Sequence, residues 1–143
     1  MNRPNDDGGV GDAESRPAVA ASPSVAGGAS LRVLHADDHP AVRESVKLRL
    51  ERLGHQVLSV VDGDAALASA AAERFDVVIT DHQMPGKNGL AVVQSLRARR
   101  FPGRIYVFCA GLADAHRAAY RRHKIDGIAE KPFGLAELEA WIG

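Results

Sequence analysis

From Leu31 onward, short apolar runs alternate with longer segments whose apolar residues recur every three or four positions. The runs are "LRVLHA", "QVLSVV", "DVVIT", "RIYVFCA" and "GIAE". They lack the in-out alternation of a half-exposed strand, so they predict strands buried on both faces. Between them lie helical patterns. In "PAVRESVKLRLERLG", Val42, Val46, Leu50 and Leu53 fall on one face, and Gly54 stands where the helix should stop. "GDAALASAAAERF" is an Ala-rich helix, and "GLAVVQSLRARR" places Leu90, Val93 and Leu96 together. "DAHRAAYRRHK" and "LAELEAWI" complete the set. A strand followed by a helix, five times over, predicts an α/β fold with a parallel five-stranded sheet covered by helices and right-handed crossovers.

Residues 1–30 break this pattern. They are mostly Gly, Ala, Ser, Pro and Asp, with Met1 and three valines as the only larger apolar side chains. Ordering a backbone costs roughly 1–2 kcal/mol per residue, and this stretch has little surface to bury in return. It reads as a disordered N-terminal arm rather than a partner-binding element. Residues 31–143 form the one expected domain.

The 18 Lys and Arg balance the 18 Asp and Glu, which argues against direct nucleic-acid or membrane binding. The single cysteine forms no internal disulfide, so a reducing, cytoplasmic setting fits. No apolar run is long enough to span a bilayer. The acidic start of the chain does not suit a signal peptide.

In parallel sheets the ligand site lies beyond the carboxyl ends of the strands. Asp37 and Asp38 follow the first strand, Asp81 ends the third, Cys109 and Ala110 follow the fourth, and Lys131 and Pro132 follow the fifth. Taken singly these are weak signals: an Asp pair before a helix is often only a cap. Together they bring three carboxylates and a lysine to one edge. Each close pair of carboxylates costs about 4 kcal/mol at roughly 4 Å in an effective dielectric of about 20. Either one protonates or a cation joins them. A hard divalent ion, a fixed lysine and a nucleophilic carboxylate suit a phosphoryl group.

The pieces "HADDHP", "VVITDHQMPGKNG", "VFCAG" and "EKPF" resemble, in order and spacing, the receiver domain of bacterial two-component response regulators. The resemblance covers about Leu31 to Ile142. It implies the flavodoxin-like strand order 2-1-3-4-5. It implies Asp81 as phosphoacceptor, served by a histidine kinase or histidine phosphotransfer protein. It implies Mg²⁺ (or Mn²⁺) on Asp37, Asp38, Asp81 and the Gln83 backbone carbonyl. Lys131, Cys109 and the Ala110 backbone N–H would face the phosphoryl oxygens, and the bond before Pro132 would be cis. Only self-phosphorylation and self-dephosphorylation are expected, not turnover of a separate substrate. The face of the fourth helix, fifth strand and fifth helix is a candidate homodimer surface.

Two positions depart from the family pattern. Cys109 stands where Thr or Ser is usual, and Ile128 where Tyr or Phe is usual. A thiol is a weaker donor than a hydroxyl. Phosphorylation is expected to survive, with the response at the fourth helix weakened or routed differently. A degenerate receiver acting as a phosphorylation-independent interaction module is the alternative. A redox role for Cys109 is a lesser reading, since three acidic groups oppose a thiolate. An aspartyl-phosphate phosphatase would want an acid where Gln83 stands.

His82 and Gln83 read as solvated loop side chains that border the attacking water in relatives, His35 as a core histidine, and His39 as a capping residue. The basic stretch from His116 to Lys124 reads as a solvated face, with Tyr120 and Trp141 as either partner anchors or core.

Overall fold

The computed structural model describes residues 30–130 and 135–142. The expected arm, Lys131 and Pro132 lie outside them.

The strands are β1 (Arg32–Ala36), β2 (Gln56–Val60), β3 (Val77–Asp81), β4 (Arg104–Cys109) and β5 (Gly127–Glu130). The helices are α1 (Pro40–Arg52), α2 (Gly63–Ala72), α3 (Gly89–Ala98), α4 (Asp114–Arg122) and α5 (Leu135–Ile142). All pairings are parallel and the order is β2-β1-β3-β4-β5, as the resemblance implied. Every residue of β3 is buried, which is why its sequence is apolar without alternation. Several helices end short of the sequence reading: α2 stops at Ala72 and α4 at Arg122. Gly54, at φ 96°, supplies the left-handed residue that lets the chain leave α1 and enter β2.

The sheet separates two apolar layers. On one side α1 and α5 contribute Val46, Leu50, Leu138 and Ile142, packed on Val33, Val77, Ile79 and Phe108. Trp141 stacks on Tyr106 at 4.5 Å and is core rather than a free anchor. On the other side α2, α3 and α4 contribute Leu67, Val92, Val93, Leu96 and Tyr120. Only Ala119 and Tyr120 are buried among the nine residues of α4, so Tyr120 is that helix's main anchor in the core. The remaining basic residues of α4 are largely solvated, as their charge predicts. No helix among the described residues is long and apolar enough to cross a membrane.

Candidate functional site

Two chain segments bring the carboxylates together. β1 ends beneath Asp37, whose N–H donates to the Val60 carbonyl (3.1 Å). The Asp37 side chain is fully buried, and its Oδ1 accepts the His39 N–H at 2.9 Å. The Arg43 guanidinium donates to the Asp37 carbonyl at 2.8 Å, holding the turn into α1. Asp81 closes β3 and is 3% exposed, so a charge sits at the mouth of an otherwise apolar strand. Asp38 is half-buried; its Oδ1 is shielded from solvent without a hydrogen-bond partner.

His39 takes the N-cap position of α1 but makes no side-chain cap. Its ring turns instead toward the acids: Nδ1 lies 2.9 Å from Asp37, 3.2 Å from Asp38 and 3.9 Å from Asp81. One ligand atom from each of Asp37, Asp38, His39 and Asp81 falls within 4.8 Å of the others. Such a set is costly without positive charge, and Asp38 Oδ1, 3.2 Å from His39 Nδ1 but making no hydrogen bond, keeps acceptor capacity to spare. An oxygen-seeking divalent cation fits this donor set.

The β3–α3 loop forms the second wall. Gln83 is exposed, consistent with a role for its backbone rather than its side chain. His82 is the correction: it is 6% exposed, not a solvated loop residue. Its N–H donates to the Phe108 carbonyl (2.7 Å) and its carbonyl accepts from Gly89 (2.8 Å). Its Nδ1 lies 2.5 Å from the Tyr120 hydroxyl, and its ring sits 4.7 Å from that of His116. Burial, then the neighbouring His116 charge, lowers the His82 pKa. Burial first, then the charges of Cys109 and Asp81, pushes the Tyr120 phenol well above its ordinary range. The sequence did carry one signal for this contact: Tyr120 is the only large apolar residue in a helix of Ala and charge, so it had to point inward.

Cys109 is 1% exposed, and its thiol donates to the Ala129 carbonyl at 3.7 Å. Burial pushes its pKa up, with the charges of Glu130 and Asp81 adding to the effect against Arg117. That opposes a redox-reactive thiolate. Ile128 is partly buried against the α2–α4 layer, with Arg117 and Glu130 paired nearby. Ala110 is exposed beside Cys109. His35 is fully buried and edge-on to Phe108, as a core histidine.

Asp38, His39, His82, Gln83, Asn88 and His116 are among the residues lining an open depression of about 670 Å³ over this site. A groove of about 430 Å³ at the opposite end of the sheet, beside Arg74, Phe75 and Phe101, has no such convergence of carboxylates.

The chain is similar to known proteins. The chain is 35% identical over 111 residues to the transcriptional activator protein PfeR of Pseudomonas aeruginosa, covering 78% of this chain and 36% of that protein. It is 38% identical over 113 residues to the transcriptional regulatory protein PrrA of Mycobacterium tuberculosis, covering 79% and 48%. This chain therefore spans about a third to a half of the length of these relatives. Among solved structures, the chemotaxis response regulator CheY4 of Vibrio cholerae is 29% identical, with a TM-score of 0.74 over 79% of this chain and 96% of that one. TrrA of Thermotoga maritima, solved with Mg²⁺-BeF, is 29% identical, with a TM-score of 0.69 over 78% and 95%. The family model of the response regulator receiver domain matches residues 33–142. The chain belongs to the response regulator receiver domain family, signalling domains phosphorylated on an aspartate.

Proposed function

We propose that Asp81 is the phosphoacceptor of a two-component phosphorelay. The observation that carries this is the placement of Asp81 at the end of buried β3, within 4.8 Å of the ligand atoms of Asp37 and Asp38. Membership of the family implies a histidine kinase or histidine phosphotransfer protein as donor. An Asp81 oxygen attacks the phosphorus of a phosphohistidine, the P–N bond breaks, and the imidazole leaves with the electron pair.

Asp37, Asp38, Asp81 and the Gln83 carbonyl would hold Mg²⁺ (or Mn²⁺), which neutralises charge on the phosphoryl oxygens. TrrA, 29% identical and solved with Mg²⁺-BeF, supports a divalent metal at this site by likeness. Lys131 and the Ala110 N–H would take phosphoryl oxygens, with Pro132 in cis shaping the Lys131 loop. Cys109 adds little there, because its thiol is engaged with the Ala129 carbonyl. Residues 1–30 would be an arm separate from the domain at 31–143. The α4–β5–α5 face would carry any homodimer contact.

Acetyl phosphate with Mg²⁺ should add one phosphoryl group to the intact mass. Asp81→Asn should abolish the addition, and chelating the metal should suppress it. The placement of Cys109 keeps a second reading in play, a binding module independent of phosphorylation. An unchanged mass with donor and Mg²⁺ would favour it.

A further inference from the structure

The usual pair that links such a site to α4 is replaced in this chain by Cys109 and Ile128, and neither offers a swinging hydroxyl or ring. A different connection is present. We infer that Tyr120 is a positioning residue for the phosphoryl site, and that its hydrogen bond to His82 carries the state of Asp81 to α4. This rests on Asp81 being the phosphoacceptor.

His82 follows Asp81 directly, and three elements hold it. Its N–H is fixed to β4 through Phe108, and its carbonyl to the first residue of α3 through Gly89. Its ring meets Tyr120 from α4. With the backbone fixed on both sides, a displacement of Asp81 is passed on through the ring. Phosphorylation takes the Asp81 side chain from one negative charge toward two and adds three acceptor oxygens, which alters the loop immediately beside it.

Gly89 supports the reading independently. A Cβ there would lie 2.5 Å from the Asp81 carbonyl, 2.8 Å from the Tyr120 hydroxyl and 2.9 Å from the His82 Cα. A side chain would wedge apart the three groups of the proposed link, so the close approach of α4 to the loop depends on glycine. α4 is also built to respond. Its N-cap, Ala113, makes no side-chain cap, and Ala119 and Tyr120 are its only buried residues. A helix held mainly through one side chain moves when that side chain does.

The experiment uses the full chain and its Tyr120→Phe variant, which keeps the ring and removes the hydroxyl. Acetyl phosphate with Mg²⁺, and separately beryllofluoride with Mg²⁺, are added to both. Intact mass reads labelling; ¹⁵N spectra read the His82 ring nitrogens and the amides of 114–122. In the wild-type protein the ring nitrogens and the α4 amides should shift together. In Tyr120→Phe, Asp81 should still be labelled. The population of responding α4 should fall about fivefold, the factor for one ordinary hydrogen bond. An undiminished α4 response in labelled Tyr120→Phe overturns the inference and leaves the phosphoacceptor intact. So do static His82 nitrogens in labelled wild type, an arm that needs no variant to fold. No labelling of the wild type overturns the phosphoacceptor and the inference together.

Discussion

At the amino end of the sheet, Asp76 and Asp126 each give a carboxylate oxygen to a strand N–H, Arg32 at 2.9 Å and Ile105 at 2.8 Å. At the carboxyl end, Asp37, Asp38 and Asp81 crowd one another instead, with the His39 ring turned toward all three. The helix starts at that end are uneven too. Asp62 and Asn88 cap α2 and α3, whereas His39 and Ala113 leave α1 and α4 without side-chain caps. The residue types are the same, and what differs is their spacing: Asp76 and Asp126 each meet a strand N–H, whereas Asp37, Asp38 and Asp81 bring ligand atoms within 4.8 Å of one another. One end ties its acids to strand N–H groups and holds the sheet; the other gathers its acids into a cluster suited to a cation.

The largest test of that contrast is Arg97. From the last turn of α3 it donates to four carbonyls, those of Phe101, Gly103, His123 and Lys124, at 2.7–3.1 Å. It ties together the loops after α3 and α4. Arg97→Ala should lose about 2–3 kcal/mol of stability in urea titration, allowing for its partial exposure. A loss below about 0.5 kcal/mol would mean the amino end is not held this way. Asp37→Asn should act with the opposite sign. Removing one charge from the acidic cluster should raise stability in metal-free buffer by about 0.5–2 kcal/mol, the common gain when a strained functional group is relieved. Mg²⁺ at a hundredfold excess over its Kd should stabilise the wild type by about 2.7 kcal/mol and should barely affect the variant. Thermal melts with and without MgCl₂ read both effects.

This contrast also explains what could be read before any coordinates. The strands of the sheet showed in unbroken apolar runs because both faces are covered, and the whole of "VVITD" is buried. Asp37, Asp38 and Asp81, each a weak signal alone, showed because they follow two strands at the same edge of the predicted sheet and fall in motifs that resemble the family's. His82 did not show. A histidine in a polar loop has no periodicity to betray its burial, and its partner lies 38 residues away. His39 was read as a cap from its place before α1, but the neighbouring carboxylates attract its ring more than the helix N–H groups do. Arg97 looked like an ordinary cation in a last helical turn, since which carbonyls it reaches is set by how two loops pack. Single positions with one dominant physical reason were legible; hydrogen bonds across the fold were not.

A smaller effect tests the uncapped start of α4. Ala113 already has extended N-cap geometry, at φ −65° and ψ 150°. Ala113→Ser should therefore add a cap and about 0.5–1 kcal/mol of stability. If α4 is left loosely held so that it can respond, the same variant should reduce the shifts of its amides on phosphorylation. Greater stability with an unchanged response would separate the missing cap from signalling.

The smallest effect is a pH dependence that reaches the amino end. His55 is buried, and its Nδ1 accepts the Leu31 N–H at 3.0 Å. Burial, and then the charge of Arg104, lowers its pKa below 6.5. The folded state therefore holds fewer protons than the unfolded state on the acid side of that value. The stability from neutral His55 is complete above the unfolded pKa and is lost as pH falls from 6.5 through the lowered folded value. Protonation at Nδ1 would turn the acceptor into a second donor facing the Leu31 N–H. Urea midpoints should fall between pH 7.5 and pH 5.5, and His55→Gln should flatten part of that fall. His82, also lowered by burial, supplies a remainder of the same sign from the opposite end of the sheet. If His55→Gln leaves the slope unchanged, the acid sensitivity belongs to the site end alone, and the amino end is more self-sufficient than its hydrogen bonds imply.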